Sequence, residues 1–321
     1  MSFRDIKYQD SAVRFLRNSI KKHSVAHAYI FTGPSGVGKK LAALNFAKAL
    51  NCLFISSEKS CPGCEACKKI DAHNHPDLML VGPEKERGSI KLETVRDLLK
   101  SISVKPYEGK KKVFIIDQAE SMTDEAQNAL LKTLEEPPKD SVMILLSENM
   151  GCLLPTIISR AQMVRFFPLR AVEAKNMLMR DYKLDPAKAH ILSYISSGSI
   201  GEAIRLMDSG FFDKRARIVK SMIAKTSVDS ELESSPKSDL DVYLNIALTY
   251  YRDMMVVKSG SSSAALINID KKEDIINAAK RMKFDEIDEV IKQIILTGSY
   301  LDQNVNPKLA IASIGLSLAA K

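Results

Sequence analysis

Tryptophan is absent from the 321-residue sequence, aromatic residues make up only 6%, and the longest uninterrupted apolar runs are short pieces such as Val113 to Ile116 and Val142 to Leu146. Runs of that length fall far below the ~18 residues a membrane-spanning helix needs, so no transmembrane helix is expected. The N-terminus, MSFRDIKYQD, lacks the basic start and apolar stretch of a secretory signal, and a cytoplasmic protein is expected. Disorder is not expected as the main state, because 45% of residues are apolar and 27% charged, close to the globular average. A chain of this length exceeds what one hydrophobic core organises, which predicts two or three domains. Cysteine is scarce but concentrated: four of the five fall between positions 52 and 67, and the fifth is Cys152. In a cytoplasmic chain such clustering points to a metal rather than to disulfides.

Lys and Arg number 47 against 39 Asp and Glu, a net charge of +8. Residues 1–168 hold 25 of the basic and 19 of the acidic side chains, so the N-terminal half is the better face for a polyanion. An excess of this size serves solubility as readily as nucleic-acid binding, and by itself decides nothing.

From Ala28 to Pro168 short apolar strands alternate with amphipathic helices, the pattern of an α/β domain with a largely parallel sheet. Strands are predicted at Ala28 to Thr32, Leu78 to Val81, Val113 to Asp117 and Val142 to Ser147. Thr123 reads as a helix N-cap, with Asp124 and Glu125 in the first turn, Ala126, Leu130, Leu131 and Leu134 on one face, and Pro137-Pro138 as the stop. Beyond Pro168 the strands cease. Short helices are predicted at Ala171 to Tyr182, Pro186 to Ser196 and Ser199 to Met207, then a polar loop from Lys225 to Ser238. Longer helices follow at 239–258, 271–281, 284–297 and 306–319, with Ser259 to Ser263 as a flexible connection. The expected domains are an α/β domain over 1–168, a small helical domain over 169–209 and an all-helical domain over 210–321.

Gly33-Pro34-Ser35-Gly36-Val37-Gly38-Lys39 satisfies G-x-x-x-x-G-K between an apolar strand and a helical run. Glycines let the backbone wrap a phosphate with its N–H groups; the helix points its positive end at the anion, and Lys39 adds a point charge. The next position should be a Ser or Thr whose hydroxyl ligates magnesium, but it is Lys40. The strand ending at Asp117 supplies the metal-supporting carboxylate, yet Gln118 stands where a catalytic glutamate belongs. Two lesions in one site argue against hydrolysis and leave open whether the loop of Gly33, Gly36, Gly38 and Lys39, with Asp117, holds ATP or ADP at all.

Cys52-x8-Cys61-x2-Cys64-x2-Cys67 offers four thiols in sixteen residues, with Pro62-Gly63 making the tight turn between close ligands. Four thiolates suit a closed tetrahedral zinc site of structural kind, with no open position for catalysis. Thiols without a metal, or His73 or His75 replacing one ligand, remain alternatives. A redox pair is disfavoured because the overlapping spacings define no single C-x-x-C.

Taken in order, these residues resemble the bacterial clamp-loader AAA+ proteins, and the likeness spans the whole chain. The most specific string is Asn128-Ala129-Leu130-Leu131-Lys132-Thr133-Leu134-Glu135-Glu136-Pro137-Pro138; His75-Pro76-Asp77, Leu154 to Arg160 and Asn304-Val305-Asn306-Pro307 are similar too. The resemblance implies an AAA+ P-loop domain with a zinc-binding insert, a helical lid and a helical collar that packs against sister subunits. The ATP-hydrolysing gamma/tau members carry Thr after the P-loop lysine, an Asp-Glu pair and an arginine in the lid motif Gly-Ser-x-Arg. Here the residues are Lys40, Gln118 and, in Gly198-Ser199-Ile200-Gly201, a glycine.

The retained Arg160, in a Ser-Arg-Cys-like motif whose last residue is Ala161, would act in trans on a neighbour's ATP. The likeness thus implies the non-hydrolysing stator of the loader, with gamma/tau and delta subunits as partners and with the sliding clamp and primed DNA reached through the complex. It would be a component of the polymerase III holoenzyme without turnover of its own. Just after the apolar segment Leu153 to Ile158, Arg160 is expected at the start of a helix on the domain's edge, and it also admits a purely structural reading, as a surface or salt-bridged residue. Which side chain of Ser147-Glu148-Asn149 faces the loop stays open, and an active clamp-loader ATPase or, less well matched, an unrelated P-loop kinase are the competing functions.

Overall fold

The computed structural model describes residues 3, 6–54, 61, 63–84, 88–224, 237–260 and 265–302. The chain divides into two units, Met1–Pro168 and Leu169–Lys321.

In the first unit, alternation along the strands decides which of two cores each side chain enters. The described strands are β1 (Ala28–Thr32), β2 (Leu78–Val81), β3 (Lys112–Ile116), β4 (Ser141–Ser147) and β5 (Gln162–Arg165), in the order β2-β3-β4-β1-β5. Every pairing is parallel. Tyr29, Phe31, Val113, Ile115, Ile144 and Leu146 face one side, under helices α1 (Asp10–Lys21) and α2 (Lys39–Asn51). Ala28, Ile30, Phe114, Ile116, Met143 and Leu145 face the other, after the short helix α3 (Glu65–Asp71), under α4 (Leu92–Ile102) and α5 (Asp124–Glu135). Burial on both faces requires continuous apolar strands, and β3 and β4 are buried throughout. Thr123 caps α5 as expected, its hydroxyl accepting from the Ala126 N–H.

The four expected strands are present, and β5 is an addition at the sheet edge. Only Val164 of its residues is buried, so it offers no apolar run to find. Arg160 also lies elsewhere than predicted. Its place by sequence is the start of a helix; in the structure it follows the one-turn helix α6 (Pro155–Ile158) and precedes β5. The edge position holds, and the helix that should begin there is replaced by a strand.

The second unit is helical: α7 (Ala171–Tyr182), α8 (Pro186–Ile195), α9 (Ile200–Asp208), α10 (Phe211–Ala224), α11 (Lys237–Lys258), α12 (Lys272–Arg281) and α13 (Phe284–Asp302). Caps set several starts, with Asp185 accepting from Ala187 and Lys188 and Ser199 from Glu202. One apolar core joins residues from Leu178 on α7 to Leu301 on α13. Asp253 is fully buried beneath the segment that leads into α12, accepting from the backbone of Ile267 and Asn268 and the Asn268 side chain. Of the predicted loop 225–238, Lys237 and Ser238 belong to α11 and the rest lies outside the described residues, as do Ser261 to Ser263, Asn304 to Pro307 and the helix 306–319.

Candidate functional site

β1 delivers the chain to the phosphate loop, and the loop is shaped by glycines. At Gly33, φ is +152° and a Cβ would stand 2.3 Å from the Phe166 carbonyl oxygen, so no side chain fits. Gly36 and Gly38 also have positive φ, at 70° and 99°, and α2 begins at Lys39 directly after them.

Lys39 is 8% exposed and turns its ammonium back onto the loop, donating to the carbonyls of Gly33 at 2.5 Å and Pro34 at 2.7 Å. Burial pulls its pKa below the ordinary lysine value, against the opposing pull of Glu148, Glu120 and Asp117. Of the sensor-region residues, Glu148 is the one that faces this lysine, at 3.9 Å. Asn149 instead accepts from the Gly151 N–H, and the buried Ser147 hydroxyl has no hydrogen-bond partner among the described residues.

Asp117 follows β3 and meets an unexpected neighbour. The Lys40 ammonium lies 3.1 Å from its carboxylate. The magnesium nucleotide of an active P-loop therefore does not fit these residues: no hydroxyl is available at position 40, and the carboxylate that would support the ion already holds a cation. Gln118, in left-handed backbone conformation with φ +52°, provides no second carboxylate.

The four cysteines converge as their spacing implies. The Sγ atoms of Cys52, Cys61, Cys64 and Cys67 all lie within 4.8 Å of one another. A tetrahedron with bonds of ~2.3 Å has edges of ~3.8 Å, and the Cys52 to Cys64 separation is 4.0 Å, so the residues fit a closed four-sulfur metal site. Gly63, at φ +102°, makes the tight turn, and the N–H groups of Gly63 and Cys64 donate back to the Cys61 sulfur at 3.4 and 3.2 Å. Pro62 lies outside the described residues. Burial pushes the Cys52 thiol up to about 11 and raises Cys67 further; against its own burial, Cys64 is brought down to about 6 by neighbouring N–H groups and thiols.

His73 and His75 are not part of this cluster. His75 is buried and accepts the Asp77 N–H on Nδ1, while the Asp77 carboxylate gathers the N–H groups of Tyr107, Glu108 and Gly109 at 2.7 to 2.9 Å. The cysteine segment is moored to the sheet domain nearby. Lys48 on α2 pairs with Asp71, Lys69 with Glu108 at 2.7 Å, and Lys110 donates to the Cys52 carbonyl at 3.1 Å.

Arg160 stands apart from both clusters. Its guanidinium donates to Glu135 at 2.7 Å, to the Thr156 carbonyl at 3.0 Å and to the Ser159 hydroxyl at 3.3 Å. Because β5 runs parallel to β1, with Gln162 beside Tyr29 and Arg165 beside Thr32, Arg160 sits at the strands' N-terminal end. The chain's own loop begins after Thr32, at the opposite end, roughly 10 Å or more away along the sheet.

Two residues that sequence reasoning missed hold this corner. Glu135, read only as part of a motif, is the partner of Arg160. Gln127 is 1% exposed and bridges α5 to the segment before α6, donating to the Cys152 carbonyl at 3.0 Å and accepting from the Leu154 N–H at 2.8 Å. A glutamine spaced one turn from Leu130 and Leu131 and two turns from Leu134, on an otherwise apolar face, was the available signal.

Residues 8–170 match the family described as DNA polymerase III, delta subunit, and residues 211–318 match its C-terminal domain family. The DNA polymerase III subunit delta′ of Bacillus subtilis is 33% identical over 309 residues, covering 93% of this chain and 92% of the relative. The chain belongs to the DNA polymerase III delta subunit family. The delta′ subunit of Pseudomonas aeruginosa is 36% identical over 67% of this chain and 65% of its own length. The tau subunit of B. subtilis is 31% identical over 64% of this chain, but only 37% of that longer protein is matched. Among the described residues no helix is long and apolar enough to cross a membrane.

Proposed function

We propose that this chain is the delta′-type stator of a DNA polymerase III clamp loader, a cytoplasmic subunit that turns over no ATP itself and places Arg160 in the ATP site of a neighbouring subunit. The observation that carries the trans role is the position of Arg160. It borders an edge strand, at the end of the sheet away from its own phosphate loop, which supports service to another molecule's nucleotide over its own. A guanidinium fork gives two directed contacts to phosphate oxygens, which a lysine cannot copy. The likeness to delta′ along nearly the whole chain supports gamma/tau and delta subunits as partners, with the sliding clamp and primed DNA reached through the assembly.

The cysteine cluster holds zinc in a structural role, on the chemistry of four thiolates in a closed set. Helices α7 to α9 act as the lid and the later helices as the collar, and Gly201, the second residue of α9, leaves that lid without a phosphate-sensing arginine.

The test is reconstitution with gamma/tau and delta subunits. Arg160→Ala should assemble normally yet slow ATP turnover; fingers of this kind contribute roughly 10³ to 10⁵ in rate at a single site, diluted in bulk where other sites remain intact. Arg160→Lys should not restore the rate. Wild-type turnover by the Arg160→Ala assembly would return Arg160 to a structural role.

A further inference from the structure

Lys40 is more than a missing magnesium ligand. Its ammonium lies 3.1 Å from Asp117, the carboxylate that in a working P-loop supports the metal, so a positive charge fixed to the chain stands on the metal's side of the site. Lys39 is likewise committed within the chain, to the carbonyls of Gly33 and Pro34, with Glu148 at 3.9 Å. Five charged side chains meet here, and the carboxylates of Asp117, Glu120 and Glu148 outnumber the two ammonium groups. Although the cluster as a whole is net negative, the Asp117 carboxylate itself is already paired with Lys40, so a divalent ion arriving at that carboxylate meets like charge at short range. A nucleotide arriving without its metal meets more carboxylates than lysines.

We propose that Lys40 is a tethered replacement for the divalent cation, one that closes this loop to magnesium nucleotides. This deepens the stator reading by naming the residue that keeps the site shut, and it is tested on the isolated full-length chain, without any partner. ADP and ATP are titrated by calorimetry in magnesium and, separately, in EDTA, against the wild type, Lys40→Thr and Lys40→Met.

The wild type should bind neither nucleotide in either buffer. Lys40→Thr should gain saturable binding in magnesium alone, at least ~10-fold tighter than any residual wild-type binding. Lys40→Met, which removes the charge without adding a hydroxyl, should fall between them and so separate repulsion from the lost ligand. Circular dichroism and a ligand-free melt report whether each variant is folded. Wild-type binding of magnesium ADP as tight as that of Lys40→Thr, wild-type binding in EDTA, or a folded Lys40→Thr that binds no better than wild type would each overturn the proposal. None of these outcomes bears on assembly or on Arg160, so the stator reading stands or falls by its own test.

Discussion

Three acceptors, Glu135, the Thr156 carbonyl and the Ser159 hydroxyl, fix the guanidinium of Arg160 along its Nη atoms. If it acts on a neighbour as proposed, a side chain held in this way has less rotamer entropy left to lose. Glu135→Gln should therefore lower turnover of the assembled loader by about fivefold, the kinetic equivalent of an exposed ion pair. In an Arg160→Ala background the same change should have no further effect; additive losses would show that Glu135 acts by another route. Asp77 offers a pH test. Burial disfavours its charge, but the N–H groups of Tyr107, Gly109 and Glu108, with His75 nearby, outweigh it and hold the carboxyl below its ordinary range. A depressed folded value means stability that is present above the unfolded pKa of ~3.9 and lost as pH falls through the folded one. Asp77→Asn should cost ~1–3 kcal/mol at neutral pH and flatten the acid limb of the stability profile measured by urea unfolding. None of these partnerships could be read from sequence. The chemical type of Arg160, Asp77 and Lys40 was plain there, but the residue each one meets is fixed by chain crossings 25 to 77 positions long.

At the scale of elements, legibility followed burial. β1, β3 and β4 carry unbroken apolar runs between polar ends because helices cover both faces, and those runs stand out in the sequence. β5 is an edge strand whose pairing with β1 is decided by backbone hydrogen bonds and by Val164 alone, so its residues carry almost no pattern. The cysteine segment was legible for the opposite reason, since metal-ligand spacing is a local code that needs no tertiary partner. Cys64→Ser should abolish stoichiometric metal binding and loosen the segment before β2, read as lost hydrogen-exchange protection in α3, while β3 and β4 keep theirs. Zinc-free protein prepared without chelator would contradict the site itself. Gln127→Leu replaces two hydrogen bonds by an apolar contact and strands the Cys152 carbonyl and the Leu154 N–H. A loss of ~1–3 kcal/mol is expected, together with reduced arginine-dependent turnover, because the path to Arg160 runs through that segment.

At the scale of the whole molecule, each unit carries its own apolar interior, the first packed on the two faces of the sheet and the second among the helices after Leu169. Metal removal should therefore lower the melting of the first unit and leave that of the second in place, two transitions resolvable by calorimetry. The reverse experiment uses the polar knot of the second unit. Arg215 donates to both carboxylate oxygens of Asp270 at 2.8 Å and to Asn268, which in turn bonds the buried Asp253. Arg215→Met leaves a carboxylate and an amide without their partner and should lower only the second transition.

Gly33 also bears on what a nucleotide-loop signature can report about a chain. The glycine is demanded by the Phe166 carbonyl packed against it, whether or not a phosphate ever enters the loop. Position 40, with its side chain half exposed, carries no such demand, whereas any side chain at position 33 would force β1 and the exit of β5 apart. The first glycine of the signature is thus held by packing alone, and would be kept in a chain of this fold even where the loop takes no nucleotide. A match to such a signature reports how a strand is seated before it reports what the loop binds.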